Sequence, residues 1–197
     1  MKLANFFTAV RIVLAPIFFV IFFFPMWTGF GAALSIYILI PLFLFMEFTD
    51  FLDGYFARKQ KTVSDFGKLF DPFADVLANL TVLFAFVLAG YLPALLFIII
   101  LYRELAISFV RMLASRSGVT IAARKGGKTK TVFYIIAAGF SLALESSIRL
   151  GFDLGNLAAP ARYVNLSLYI IAVVLSVFSF IDYLVHFSAV LRKTEKK

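Results

Sequence analysis

Asp50-Phe51-Leu52-Asp53-Gly54-Tyr55-Phe56-Ala57-Arg58, then eight residues, then Gly67-Lys68-Leu69-Phe70-Asp71-Pro72-Phe73-Ala74-Asp75: two pairs of carboxylates, each pair with a glycine close by, stand in an otherwise greasy chain. An ionisable group at the centre of a membrane helix costs about 2.5–3.5 kcal/mol on insertion scales, so acids gathered this closely imply a species that neutralises them. A divalent metal is the simplest candidate.

The surrounding composition sets the class. Of 197 residues 62% are hydrophobic and 26 are Phe, with a mean hydropathy of +0.97, more apolar surface than a water-soluble domain of this length could bury. The chain reads as an all-α integral membrane protein. The absence of cysteine removes disulfides, thiolate metal sites and cysteine nucleophiles together. A formal charge of +8 need not mean nucleic acid, because topology accounts for it.

Crossing a hydrocarbon core of about 30 Å takes about 20 apolar residues, and six transmembrane segments are expected near 6–25, 31–57, 69–90, 92–115, 131–150 and 163–191. Gly29 and Gly31, Gly90 and Pro93, and the stretch from Gly118 to Lys130 supply the breaks. The first segment does not read as a cleavable signal. There is no internal repeat and no added soluble domain, so a single membrane-embedded domain is expected over residues 1–197.

Lys and Arg are distributed unevenly between the connections. Lys2, the cluster from Arg58 to Lys68, the cluster from Arg116 to Lys130, and the tail from Arg192 hold 14 of the 19, all on one side of a six-helix path. The other side has uncharged turns and one connection where Arg149 and Arg162 are balanced by Glu145 and Asp153. The positive-inside rule then places both termini in the cytoplasm and the acids at the cytoplasmic ends of helices two and three. Arg11, Arg103 and Arg111 fall within apolar segments and need partners or a task.

On a helix, Asp50, Asp53, Gly54 and Ala57 share one stripe, and Asp71 and Asp75 are one turn apart. If the 58–68 connection brings these faces together, each helix offers two carboxylates to one cavity, a donor set suited to Mg²⁺ or Mn²⁺. Two such ions about 3.5–4 Å apart are a common clamp for phosphoryl transfer. Gly54 and Ala57 would let a bulky ligand lie against the backbone, Arg58 adds a cation for a phosphate, and Gly67 marks a close approach or the turn into the third helix.

The pattern D-x-x-D-G-x-x-A-R-x8-G-x3-D-x3-D resembles the signature of the CDP-alcohol phosphotransferase family at every fixed position. The resemblance implies a six-helix enzyme that displaces CMP from a CDP-activated lipid or alcohol. It also implies that Asp50 and Asp71 bridge two metals, that Asp53 and Asp75 complete one site each, and that Asp75 acts as general base. Gly54, Ala57, Arg58 and Gly67 match positions that hold the CDP moiety.

From the N-terminus to about Tyr134 the chain is similar to the bacterial branch of that family that uses glycerol-3-phosphate as acceptor and CDP-diacylglycerol as donor. The carriers are Asn5-x-x-Thr8-x-x-Arg11, whose Asn and Thr the resemblance places near the nucleotide, Arg103-Glu104-x-x-x-Ser108-x-x-Arg111, Gly118-Val119, and Gly127-Lys128-x-Lys130-Thr131. Val76 and Tyr134 depart from that branch, where Lys and Gln are common. An acceptor bearing a phosphate dianion needs cations of its own, and Arg103, Arg111, Lys128 and Lys130 are the candidates. The family resemblance further implies a homodimer.

Each feature also has a plainer reading. Paired intramembrane acids could line a divalent-cation pathway, although transport would not require the G-x-x-A-R spacing. A sibling enzyme would use serine, inositol, inositol phosphate, phosphatidylglycerol or diacylglycerol instead. Arg103 and Glu104, adjacent on a helix and so facing different ways, could each pair with other buried groups. The 124–130 cluster could be a topology signal alone, and Asn5 and Thr8 an interfacial helix start. His186, the only histidine, reads as a packing residue. The small residues Ala137, Ala138, Gly139 and Ser141 indicate close helix contact, within the chain or between copies.

Overall fold

A computed structural model describes the chain at residues 3–60, 65–116 and 125–194, and its side chains within 8–49, at 70, and within 73–112 and 129–185. Six long helices account for almost all of it: α1 (Leu3–Thr28), α2 (Ala32–Gln60), α3 (Asp65–Leu88), α4 (Ala94–Arg116), α5 (Lys125–Arg149) and α6 (Ala158–Thr194). Each matches one of the six expected segments and runs past its limit at one end or both, because helical hydrogen bonding continues into polar residues until a turn stops it. The stops are local. Gly29, Gly31 and Gly90 take φ of 78°, 78° and 80°, a left-handed region that only glycine enters at little cost.

Helix α1 packs against both α2 and α3, α5 pairs closely with α6, and α4 bridges α3 to α6. Contacts of α5 with α2 and α3 close the bundle. Phe18, Phe22 and Phe86 lie fully buried at its centre, with Phe22 edge-on to Phe86 at 5.7 Å, a favoured aromatic geometry. The outer faces carry Val13, Trp27, Tyr37, Leu44 and Phe178 in the open, the reverse of a water-soluble surface.

Among the described residues, four stretches are long and apolar enough to cross a membrane: Thr8–Thr28, Ala32–Thr49, Thr129–Arg149 and Gly155–Val185. The chain is therefore a multi-pass membrane protein. Helix α3 is apolar from Phe73 to Leu88 among the described residues, and α4 carries Arg103, Glu104 and Arg111 within its apolar length. Those three α4 charges line the cavity described below.

The small-residue run on α5 has an intramolecular partner. Ala137, Ala138 and Ser141 are buried, and the Ser141 hydroxyl donates to Asn165 Oδ1 on α6 at 2.9 Å. Glu145 and Arg149, assigned above to a connection between helices, lie instead within α5 and are paired there, Arg149 Nε donating to Glu145 Oε1 at 2.6 Å. Charge balance in the sequence located the pair, and the expected segment 131–150 already spanned both positions, with α5 ending at Arg149.

Candidate active site

A cavity of about 190 Å³ opens between α3, α4 and α5. Asp75 of α3 lines it together with Arg103, Glu104 and Arg111 of α4 and Lys130 and Tyr134 of α5, so three cations face two carboxylates. Arg103, Glu104 and Lys130 are each less than one-tenth exposed, and charges so far removed from water persist only when paired or when a ligand completes them.

The pairings are specific. The Arg11 guanidinium of α1 forms an ion pair with Asp75 through Nη1 and Oδ1, which answers the need of an arginine buried in the first helix. Glu104 Oε1 accepts from Arg103 Nη1 at 2.9 Å and also takes the Lys130 ammonium. Neighbours on one helix turn thus converge despite the divergence that adjacent positions suggest, because both side chains are long enough to bend toward α5. The remaining Arg103 nitrogens point to α6: Nε to the Ser176 carbonyl at 3.3 Å and Nη2 to the Ser179 hydroxyl at 3.4 Å. Lys130 also sits over the Tyr134 ring, 5.4 Å from its centroid, while the Tyr134 hydroxyl donates to Ser176 Oγ at 2.7 Å. Arg111, half-buried, has no ion-pair partner among the described residues.

Of the residues expected to act, the structure brings Asp75, Arg103, Arg111 and Lys130 together, with Thr8 fully buried on α1, the helix that supplies Arg11. Asp50, Asp53, Gly54, Ala57 and Arg58 lie on α2, Gly67 and Asp71 on α3, Asn5 on α1 and Lys128 on α5; their side chains fall outside the described residues, as do residues 117–124 with Gly118 and Val119, and the side chain of His186. Asp50 stands ten residues before Gln60, where α2 ends, and Asp75 ten residues after Asp65, where α3 begins, equal runs of about 15 Å of helix. Among the described residues no cluster of three or more acids that could hold a metal stands together; Asp75, the one of the four expected ligands whose side chain is described, lines the cavity, and its carboxylate oxygens are donors of the kind Mg²⁺ or Mn²⁺ takes.

A second buried network lies at the far end of α5 and was not anticipated as a unit. Arg149 donates from Nη1 to Ser35 Oγ of α2 at 2.7 Å and from Nη2 to the Phe22 carbonyl of α1 at 2.8 Å. Tyr91, in the turn between α3 and α4, donates to Glu145 Oε2 at 2.6 Å, and its own carbonyl accepts from Asn165 of α6 at 3.0 Å. Burial first, and then the Glu145 carboxylate, push the Tyr91 phenol well above the ordinary tyrosine range, so it stays a donor. One clue was available in the sequence, Glu145 and Arg149 at i, i+4.

Fold and site together define an all-helical, multi-pass membrane protein with a charged cavity inside its bundle. The chain belongs to the CDP-alcohol phosphatidyltransferase family, whose sequence model matches residues 1–178. It is 40% identical over 200 residues to the CDP-diacylglycerol–glycerol-3-phosphate 3-phosphatidyltransferase of Treponema pallidum, covering 98% of this chain and 92% of that one. It is 37% identical over 142 residues to the protein of that name from Bacillus subtilis, covering 69% and 74% of the two chains. Its similarity to the Mycoplasma genitalium protein of that name is 37% over 155 residues, 77% of this chain and 65% of the other.

Proposed function

We propose that this chain transfers the phosphatidyl group of CDP-diacylglycerol to glycerol-3-phosphate, giving phosphatidylglycerophosphate and CMP. Similarity to transferases of that name over nearly the whole chain supports the reaction. The observation that carries the acceptor is the cavity, where Asp75 shares walls with Arg103, Arg111 and Lys130. A hydroxyl partner is needed beside Asp75, and a phosphate dianion is the natural counter-charge for an excess of buried cations. Serine, inositol or diacylglycerol would bring no such charge.

In the proposed reaction the acceptor hydroxyl attacks the phosphorus next to the lipid, the bond from that phosphorus to the CMP oxygen breaks, and the hydroxyl proton passes toward Asp75. Two divalent cations, when bound by Asp50, Asp53, Asp71 and Asp75, supply positive charge to the diphosphate. Arg11 holds the Asp75 carboxylate in place. Arg58, with Gly54, Ala57, Gly67, Asn5 and Thr8, holds the CDP moiety, and Arg58 offsets charge developing on the departing CMP. Arg111 and Lys130, with Lys128 at the same helix start, receive the acceptor phosphate.

The reading includes six membrane crossings in one domain, with both termini and the cavity mouth on the cytoplasmic side of the bacterial cytoplasmic membrane. It also includes a homodimer. Purified protein with CDP-diacylglycerol and Mg²⁺ or Mn²⁺ is expected to release CMP when glycerol-3-phosphate is added, and to fall silent on chelation. Release with serine, inositol, inositol phosphate or phosphatidylglycerol in its place would move the acceptor. Metal flux into vesicles without CMP release would overturn the enzyme.

A further inference from the structure

We propose that Glu104 is a positioning residue of the acceptor pocket, fixing the Lys130 ammonium where the acceptor phosphate docks, and that Arg103 is a tether between α4 and α6 rather than a phosphate ligand. The inference rests on the glycerol-3-phosphate reading above.

The argument starts from where each donor is spent. All three nitrogens of Arg103 reach protein acceptors, on Glu104, the Ser176 carbonyl and the Ser179 hydroxyl. Three of its five N–H donors are therefore spent on protein acceptors, two of them on α6, so the protein and not a ligand sets where the guanidinium lies. What it does instead is anchor Glu104 from one side, tying that carboxylate to α6. Lys130 is held from two directions, by Glu104 Oε1 and by the face of Tyr134, whose hydroxyl is in turn fixed to Ser176. An ammonium has three donors, so Lys130 can keep Glu104 and still offer hydrogens to a ligand in the cavity it lines. Arg111, with no carboxylate partner among the described residues, supplies the other cation.

Glu104 also sets the charge of the pocket. Arg103, Arg111 and Lys130 would repel one another around the cavity, and Glu104, the carboxylate paired with two of them, offsets that repulsion. A lysine on a flexible four-carbon stem is a point charge with little direction of its own; its direction here comes from Glu104 and Tyr134.

The test is a double-mutant cycle on the full-length protein in detergent or vesicles, pairing Glu104→Gln with Lys130→Met. The readouts are the KM for glycerol-3-phosphate, the KM for CDP-diacylglycerol and kcat. Each single variant is expected to lower kcat/KM for glycerol-3-phosphate by about tenfold to a hundredfold, as loss of a charged hydrogen bond does. The KM for CDP-diacylglycerol should stay within about twofold, which shows that the protein is folded and the donor site intact. The double variant should be no worse than Lys130→Met alone, because Glu104 acts through Lys130. Glu104→Asp should restore part of the loss. Costs that simply add, or a matching rise in the KM for CDP-diacylglycerol, would overturn the role of Glu104. An Arg103→Lys variant that loses glycerol-3-phosphate affinity as severely as Arg111→Lys, with the donor KM unchanged, would overturn the tether. Wild-type protein that turns over only with a different acceptor would instead bring down the acceptor reading, before any variant is compared.

Discussion

Asp75 occupies a position that no other described residue shares, with Arg11 of α1 on one side and the cationic cavity on the other. A carboxylate free to rotate would be a poor guide for a hydroxyl; one pinned by a buried guanidinium has a set direction. Replacing Arg11 with Ala is expected to lower kcat by about 10–100-fold, the usual cost of removing an outer partner of a site carboxylate, with Arg11→Lys intermediate. Asp71→Ala should be more severe, about two to three orders of magnitude, because it removes charge stabilisation from the reacting diphosphate itself. Circular dichroism and gel filtration should show that variant folded. Retained turnover in Asp71→Ala would remove the metal assignment. The place of Asp75 at the cavity was legible in the sequence because it stands one turn from Asp71 and acids are rare in such a chain. The partner of Asp75 was not, because Arg11 is 64 residues away and only the packing of α1 on α3 brings them together.

Helix α5 shows how one element serves two ends. Its first turns hold Lys130 against α4, and its last turn holds Glu145 and Arg149 in a network that reaches α1, α2, α6 and the turn between α3 and α4. Some 15 residues separate Lys130 from Glu145, roughly 22 Å of helix, so the two clusters are independent in space. Removing one member of a buried ion pair while leaving the other typically costs about 3–5 kcal/mol. For a chain of this size Glu145→Ala should therefore lower the thermal unfolding midpoint by roughly 6–20 °C. The KM for either substrate should be unchanged at temperatures where the variant is folded, since the network touches nothing in the cavity. A shift in substrate KM with no change in melting would refute a purely structural role. The six helices were legible from apolar length and glycine breaks. Their ends were less so: α5 begins at Lys125, six residues before the expected limit of 131, because helical hydrogen bonding continues through polar residues beyond the apolar run. Glu145 and Arg149 lay inside the expected fifth segment although their charge balance read as part of a connection; in α5 they pair with each other. The cross-helix contacts of Glu104 escaped for a related reason: sequence spacing gives the face of one helix, and which faces meet depends on how α4 lies against α5 and α6.

At the scale of the whole molecule, the distribution of charge and the location of the cavity make a common demand. The cavity-lining residues come from α3, the middle of α4 and the early turns of α5, and the Arg116 to Lys130 stretch that joins α4 to α5 holds five of the 19 basic residues. The Glu145 network lies at the other end, near Gly29, Gly31 and Gly90. A water-borne phosphorylated acceptor must reach the basic end, and the positive-inside rule assigns that end to the cytoplasm. The absence of cysteine makes the orientation directly measurable, since any single introduced thiol is the only one present. Lys196→Cys in the tail and Phe30→Cys at the far turn would be labelled with a membrane-impermeant maleimide in intact cells and again after permeabilisation; Phe30 is a sound choice because it is 63% exposed. The turn thiol should react in intact cells and the tail thiol only after permeabilisation. The reverse pattern would place the cavity on the outer face, away from cytoplasmic acceptors, and would remove the physical basis for an enzyme that draws on them.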